Sequence, residues 1–119
     1  MRLKNVLIVV EDMEISKTFY REIMGLHVIM DQGDNVMLTE GLVLQQKKVW
    51  EDYMGQSVSK SGFETELYFV ENNLDQFLER IDSSDIKIER VGEMKTNFCG
   101  RRTIHILDPD GHLIEIGEH

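Results

Sequence analysis

Residues 5–28 read NVLIVVEDMEISKTFYREIMGLHV, and this stretch decides the fold. A β-branched, apolar run from Leu3 to Val10 is bounded by Glu11 and Asp12, the composition of a buried strand. Asp12 has the short acceptor side chain of a helix N-cap. Beyond it, Ile15, Phe19, Ile23 and Met24 recur at helical spacing and predict a helix over Met13–Met24. Gly25 supplies the stop, and Leu26–Met30 reads as the next strand. The stretch is therefore β-α-β.

Working outward, Gly33-Asp34-Asn35 is a turn into a strand at Val36–Thr39. Glu40-Gly41 turns the chain again into a strand at Leu42–Gln46. Trp50, Tyr53 and Met54 predict a short helical turn, and the polar, small run Gln56–Gly62 reads as a linker. The order then restarts. Glu64–Glu71 alternates like a strand. Leu74, Phe77, Leu78 and Ile81 share one helical face behind a cap at Asn72 or Asn73. Ile86–Val91 reads as a strand, Thr96–Gly100 as a loop and Arg101–Leu107 as a strand. Asp108-Pro109-Asp110-Gly111 is a strong turn signal before a last strand at His112–Gly117. A β-α-β-β-β pattern thus occurs twice, a repeat of pattern rather than of side-chain identity. The expected layout is an α+β fold with module one at 1–48, a linker at 49–62 and module two at 63–119.

The chain's 119 residues suit one compact unit or two small modules sharing a core. Its formal net charge is −9, which speaks against nucleic-acid backbones and anionic membrane surfaces and favours cationic ligands or metal ions. Cys99 is the single cysteine, so no intrachain disulfide forms and a reducing, cytoplasmic setting is expected. The apolar run Val6–Val10 is too short for a signal peptide or a membrane span.

Two phrases carry a family resemblance. VEDMEISKTFYREIMGLHV, residues 10–28, and LDPDGHLIEIGE, residues 107–118, resemble the opening strand–helix and the closing hairpin of the vicinal oxygen chelate superfamily, the glyoxalase, bleomycin-resistance and ring-cleaving (extradiol) dioxygenase proteins. The resemblance implies two βαβββ modules with curved mixed sheets around a small-molecule cleft, and a homodimer. In metal-dependent members the ligands come from the first and fourth strands of each module. The positions matching them here are Asn5, Gln45, Glu66 and Glu115, so the two expected histidines are replaced.

Those four side chains present only oxygen, which suits Mg²⁺, Mn²⁺ or Ca²⁺ better than Zn²⁺ or Ni²⁺. His105 shares a strand face with Thr103 and Leu107 and is a candidate additional metal ligand, acid–base group or hydrogen-bonding wall residue. In relatives that destroy fosfomycin, the resemblance places Lys95, Cys99 and Thr103 near the cavity as well. Trp50 and Tyr53 either line a pocket or pack. Two carboxylates on one face would raise one pKa and create a general base without any metal. Two functions follow. One is a glyoxalase-like lyase or isomerase acting on a reactive carbonyl or thiol adduct through Glu115 and Glu66. The other is a metal-free protein of the bleomycin-resistance type that binds a cationic compound.

Overall fold

The computed structural model describes residues 1–59 and 63–119. The chain divides into two compact units, residues 1–60 and 61–119, each built on its own sheet.

In the first unit the strands are β1 (Val6–Val10), β2 (Val28–Asp31), β3 (Asn35–Leu38) and β4 (Leu42–Gln46), in the spatial order β1-β4-β3-β2. β1 runs parallel to β4, and the other pairs are antiparallel. Helix α1 (Met13–Glu22) makes the crossover and lies against β4. Its cap is Asp12, whose Oδ1 accepts the Ile15 N–H at 3.1 Å. Gly25 lies in the left-handed region, with φ of 72°, and lets the Leu26 N–H close onto the Tyr20 carbonyl at 2.9 Å.

One detail of α1 departs from its sequence pattern. Ile15 is 56% exposed, and the inward face is Met13, Ser16, Phe19 and Tyr20, with Ile23 beyond the last turn. The helical stripe admits the small Ser16 because Phe19 and Tyr20, stacked edge to face, fill the space beside it. Val10, Val36, Leu38 and Leu44 form the buried side of the sheet. Each such side chain contributes about 1.5–3 kcal/mol on leaving water.

The short helical turn expected near Trp50 is a two-turn helix, α2 (Lys47–Met54), which follows β4 without a break and packs on β4 and β1. Gln46 caps it, accepting the Val49 N–H at 3.1 Å, so the expected linker at 49–62 begins inside a helix of the first unit. Residues 60–62 of that linker lie outside the described residues.

The second unit repeats the plan with one elaboration. Its strands are β5 (Glu66–Glu71), β6 (Glu89–Arg90), β7 (Lys95–Thr96), β8 (Arg102–Leu107) and β9 (Leu113–Glu118). The order is β5-β9-β8-β6, with β7 also pairing with β8. The strand expected at Ile86–Val91 shortens to two residues. The expected loop at Thr96–Gly100 is instead a hairpin tip, because Lys95–Thr96 pairs with Arg102–Thr103. Helix α3 (Leu74–Ser83) is capped by Asn73, whose Oδ1 accepts the Gln76 N–H at 2.9 Å.

Alternation then sorts this sheet into two faces. Ile104 and Ile106 of β8 and Ile114 and Ile116 of β9 are buried on the side of α3, as are Leu74, Phe77 and Ile81 of the helix. The opposite face carries Glu66, Tyr68, Thr103, His105, Leu107, Leu113, Glu115 and Gly117.

Candidate functional site

That second face gathers the chemistry. β5 and β9 are parallel, with Glu66 in register with Leu113 and Tyr68 with Glu115, so the two glutamates stand one pleat apart on adjacent strands. β8 and β9 are antiparallel, with His105 directly across from Glu115. One donor atom from each of Glu66, His105 and Glu115 falls within 4.8 Å of the others. His105 Nε2 lies 3.8 Å from Glu66 Oε2 and 3.8 Å from Glu115 Oε1. Among the described residues, the other imidazole nitrogen, Nδ1, is buried without a hydrogen-bond partner.

The electrostatics follow from the crowding. A hydrogen bond shared with Glu115 holds the Glu66 carboxyl above its ordinary pKa, burial and the neighbouring negative charge push the same way, and His105 opposes them. One proton shared between two carboxylates is the cheap state of such a pair. The two arginines at the start of β8 are engaged elsewhere, while Lys95 of β7 is in register with Thr103. Arg102 forks onto Asp75 at 3.1 and 3.2 Å and onto Glu118 at 2.7 and 2.9 Å. Arg101 donates to the Glu118 carbonyl at 3.4 Å.

Donors 3.8 Å apart accept a divalent cation between them with little movement, since ligand bonds of about 2.0–2.5 Å span such gaps. The set of two carboxylates and one imidazole therefore fits a metal. Its weak point is His105. Ligation through Nε2 leaves the proton on a buried Nδ1 that has no acceptor among the described residues, where a ligating histidine ordinarily has one.

The remaining sequence candidates fall as follows. Thr103 is buried on the same face, in register with Gly117. Cys99 is exposed at the β7–β8 hairpin tip, beyond the end of β8, with its N–H on Asn97 Oδ1 at 2.9 Å. Trp50 is half-buried on α2, in the first unit. Asn5 precedes β1 and donates to the Gly41 carbonyl at 3.3 Å. Gln45 accepts from Asn35 Nδ2 at 2.8 Å and donates to the Asp34 carbonyl at 3.1 Å. Asn5 sits beside Gly41, whereas Gln45 is in register with Val9, four residues along the same strand pair, or about 13 Å. In the second unit the partner of Glu66 is two residues past the register point; the corresponding first-unit residue is Val43, not Gln45.

Two features escaped the sequence reading. The φ of Gly117 lies outside the left-handed region, yet a Cβ there would lie 2.9 Å from Tyr68 Cζ and would overlap its hydroxyl oxygen. A glycine inside a strand is the signal for such a close approach. The second is a buried Asp108, whose Oδ1 accepts the N–H groups of Asp110 and His112, both at 2.9 Å, and whose Oδ2 meets His112 Nδ1 at 2.7 Å. His112 is thus a structural residue of the last hairpin.

No helix among the described residues is long and apolar enough to cross a membrane. No curated protein matches the chain. Among solved structures, a protein of unknown function from Agrobacterium tumefaciens str. C58 is 29% identical, with a TM-score of 0.85 over 100% of this chain and 94% of that one. A glyoxalase-related enzyme from Fulvimarina pelagi is 18% identical, with a TM-score of 0.81 over 99% and 88% of the two chains. A lactoylglutathione lyase from Agrobacterium tumefaciens is 20% identical, with a TM-score of 0.72 over 98% and 92%. The last two likenesses speak for the fold alone. The model of the glyoxalase-like domain matches residues 3–119, and the chain belongs to that family.

Proposed function

We propose that the protein is a glyoxalase-like small-molecule enzyme, a lyase or isomerase acting on a reactive carbonyl or thiol adduct, with the Glu66–Glu115 pair as its proton-transfer group. The observation that carries this reading is the meeting of the two carboxylates on one sheet face, with Glu66 held above its ordinary pKa by Glu115. A pair with one proton contains both a base and an acid. The ionised carboxylate removes a proton from the carbon next to a carbonyl. The protonated partner delivers its own to the developing enolate oxygen. The reverse exchange on the neighbouring carbon completes an isomerisation and restores the pair. His105 Nε2, equidistant from both carboxylates, stabilises whichever one is ionised.

Glu66, Glu115 and His105 would hold a divalent cation, which when bound polarises a carbonyl oxygen and spreads the charge of an enediolate. The imidazole nitrogen widens the choice of ion from the all-oxygen preference for Mg²⁺, Mn²⁺ or Ca²⁺ toward borderline ions such as Zn²⁺.

A second reading, sequestration of a cationic compound in the manner of bleomycin-resistance proteins, is favoured by the acidic face and by Tyr68, which is 51% exposed beside it. One set of measurements separates the two. Turnover of the methylglyoxal–glutathione hemithioacetal that disappears in Glu115→Gln, with the thermal unfolding curve intact, supports the enzyme. Turnover unchanged by Glu115→Gln removes it. Thermal stabilisation by bleomycin without any turnover leaves the binding protein.

A further inference from the structure

We propose that Tyr68 is a substrate-contacting, specificity-determining residue of the Glu66–Glu115 site, and that Gly117 exists to seat it; this deepens the reading given under Proposed function and rests on it. Tyr68 and Glu115 are register partners on β5 and β9, and Val70 is the partner of Gly117. The tyrosine ring leaves its own register position and leans one pleat along β9, onto Gly117. Any Cβ at residue 117 would stand 2.9 Å from Cζ and 3.1 Å from Cε2. The backbone does not need the glycine, because φ of Gly117 is outside the left-handed region. A bare Cα in a central strand forfeits packing and strand preference. What occupies the vacated space is the phenol.

The phenol is not there to fill a core. Tyr68 is 51% exposed, and its hydroxyl makes no hydrogen bond among the described residues. A half-exposed aromatic whose hydroxyl end rests over a glycine is held in place while its donor keeps no protein partner among the described residues. That donor lies on the same face as the carboxylate pair, about 6–7 Å along the strand from the Glu115 row. Thr103, the register partner of Gly117 on β8, adds a second hydroxyl to that row.

The spacing defines a substrate class. A substrate whose carbonyl carbon reacts at Glu66–Glu115 reaches the Tyr68 hydroxyl with an acceptor roughly 6–7 Å, or about five bonds, away. The acceptor is an oxygen able to take a hydrogen bond from a phenol, such as an amide carbonyl of a thiol adduct. Tyr68 then recognises the non-reacting end of the molecule. Binding made equally in ground and transition states changes KM and leaves kcat.

The test uses the whole chain and the methylglyoxal–glutathione hemithioacetal, whose peptide arm carries such carbonyls. Tyr68→Phe is expected to raise KM about tenfold with kcat nearly unchanged, the loss of one neutral hydrogen bond. Gly117→Ala is expected to do the same by displacing the ring, and the double variant to be no worse than Gly117→Ala alone. A purely structural ring would not register the loss of its hydroxyl. In parallel, ¹³Cζ-tyrosine NMR follows the adduct binding, with the Tyr68 resonance identified by its absence in Tyr68→Phe. A saturable shift of that resonance, lost in Gly117→Ala, supports the proposal. An unmoved Tyr68 resonance on saturable binding, or an unchanged KM in Tyr68→Phe, overturns it. Abolished turnover in Glu115→Gln alongside either result leaves the carboxylate reading standing, while full turnover in Glu115→Gln removes that reading first. Neither turnover nor binding of the adduct overturns the substrate class and the proposal with it.

Discussion

His105 and Glu115 are register partners across the antiparallel β8–β9 pair, and their side chains meet on the face away from α3, with Nε2 3.8 Å from Oε1. On its other side Glu115 is the partner of Tyr68, and Glu66 is one pleat away on the same strand as Tyr68. Every group in the proposed chemistry is therefore fixed by the ladder around one residue of β9. The expectations below follow from that geometry.

The first concerns the coupling itself. The leading cause of the raised Glu66 pKa is its hydrogen bond with Glu115. Replacing Glu115 by Gln removes the competing charge and offers an amide N–H instead, which favours ionised Glu66. The Glu66 titration, followed by ¹³Cδ NMR, is expected to move down into the ordinary carboxylate range. An unmoved midpoint would show that burial, not the partner, sets it.

The second concerns stability against pH. Glu66 has a folded pKa above its unfolded value of about 4.5. Its contribution to stability is fully present below the unfolded value and is lost as pH rises through the folded value. Glu66→Gln is therefore expected to melt higher than the parent at pH 7–8, with the difference vanishing near pH 4. A variant that melts lower at neutral pH would contradict this sign.

Metal loading supplies the third. Mn²⁺ is expected to raise the melting temperature, and Glu115→Gln or His105→Ala to cut that rise sharply. A cation must displace the proton shared by the carboxylates, so its affinity should climb as pH rises through the Glu66 titration. Isothermal titration at several pH values checks both points. A pH-independent affinity, or full retention in Glu115→Gln, places the ion elsewhere.

Asp108 gives the fourth. Its carboxylate is buried and holds two backbone N–H groups and the His112 ring. Asp108→Ala should destabilise the protein by about 1–3 kcal/mol for each N–H left unsatisfied, measured by urea denaturation. Burial lowers the His112 pKa, but the Asp108 hydrogen bond and the charges of Asp108 and Asp110 outweigh it, and the net shift is upward. The linked stability is present below the unfolded value of about 6.5 and fades as pH rises through the folded value. Asp108→Asn should flatten that slope. An equal slope in parent and variant would assign it to other groups.

Most of the fold is legible in one dimension because its signals are local. The caps at Asp12 and Asn73, the stop at Gly25 and the turn at Asp108–Gly111 depend on side chains a few residues apart, and each sits where the residue types demand. Failures occur where burial is decided from outside the segment. Ile15 has the right helical phase and the wrong side, because Phe19 and Tyr20 take the inward arc and leave room only for Ser16. The strand at Lys95–Thr96 is two residues long and exists only because β8 is beside it.

The same division runs through the candidate site. From the order of residues alone came the two-fold βαβββ plan and the presence of Glu66, Glu115 and His105 on strands, while the replacement of the expected histidines came from the family resemblance. Alternation with period two even assigns each of them a face of its own strand. Which residue stands opposite which is another matter, since register between strands separated by up to half the chain is set by packing and crossover length. Only the folded sheet put His105 across from Glu115, placed Val43 where Gln45 had been expected, and laid Tyr68 on Gly117. A strand's sequence encodes its faces, while its neighbours are chosen by the hydrophobic side it must share with them.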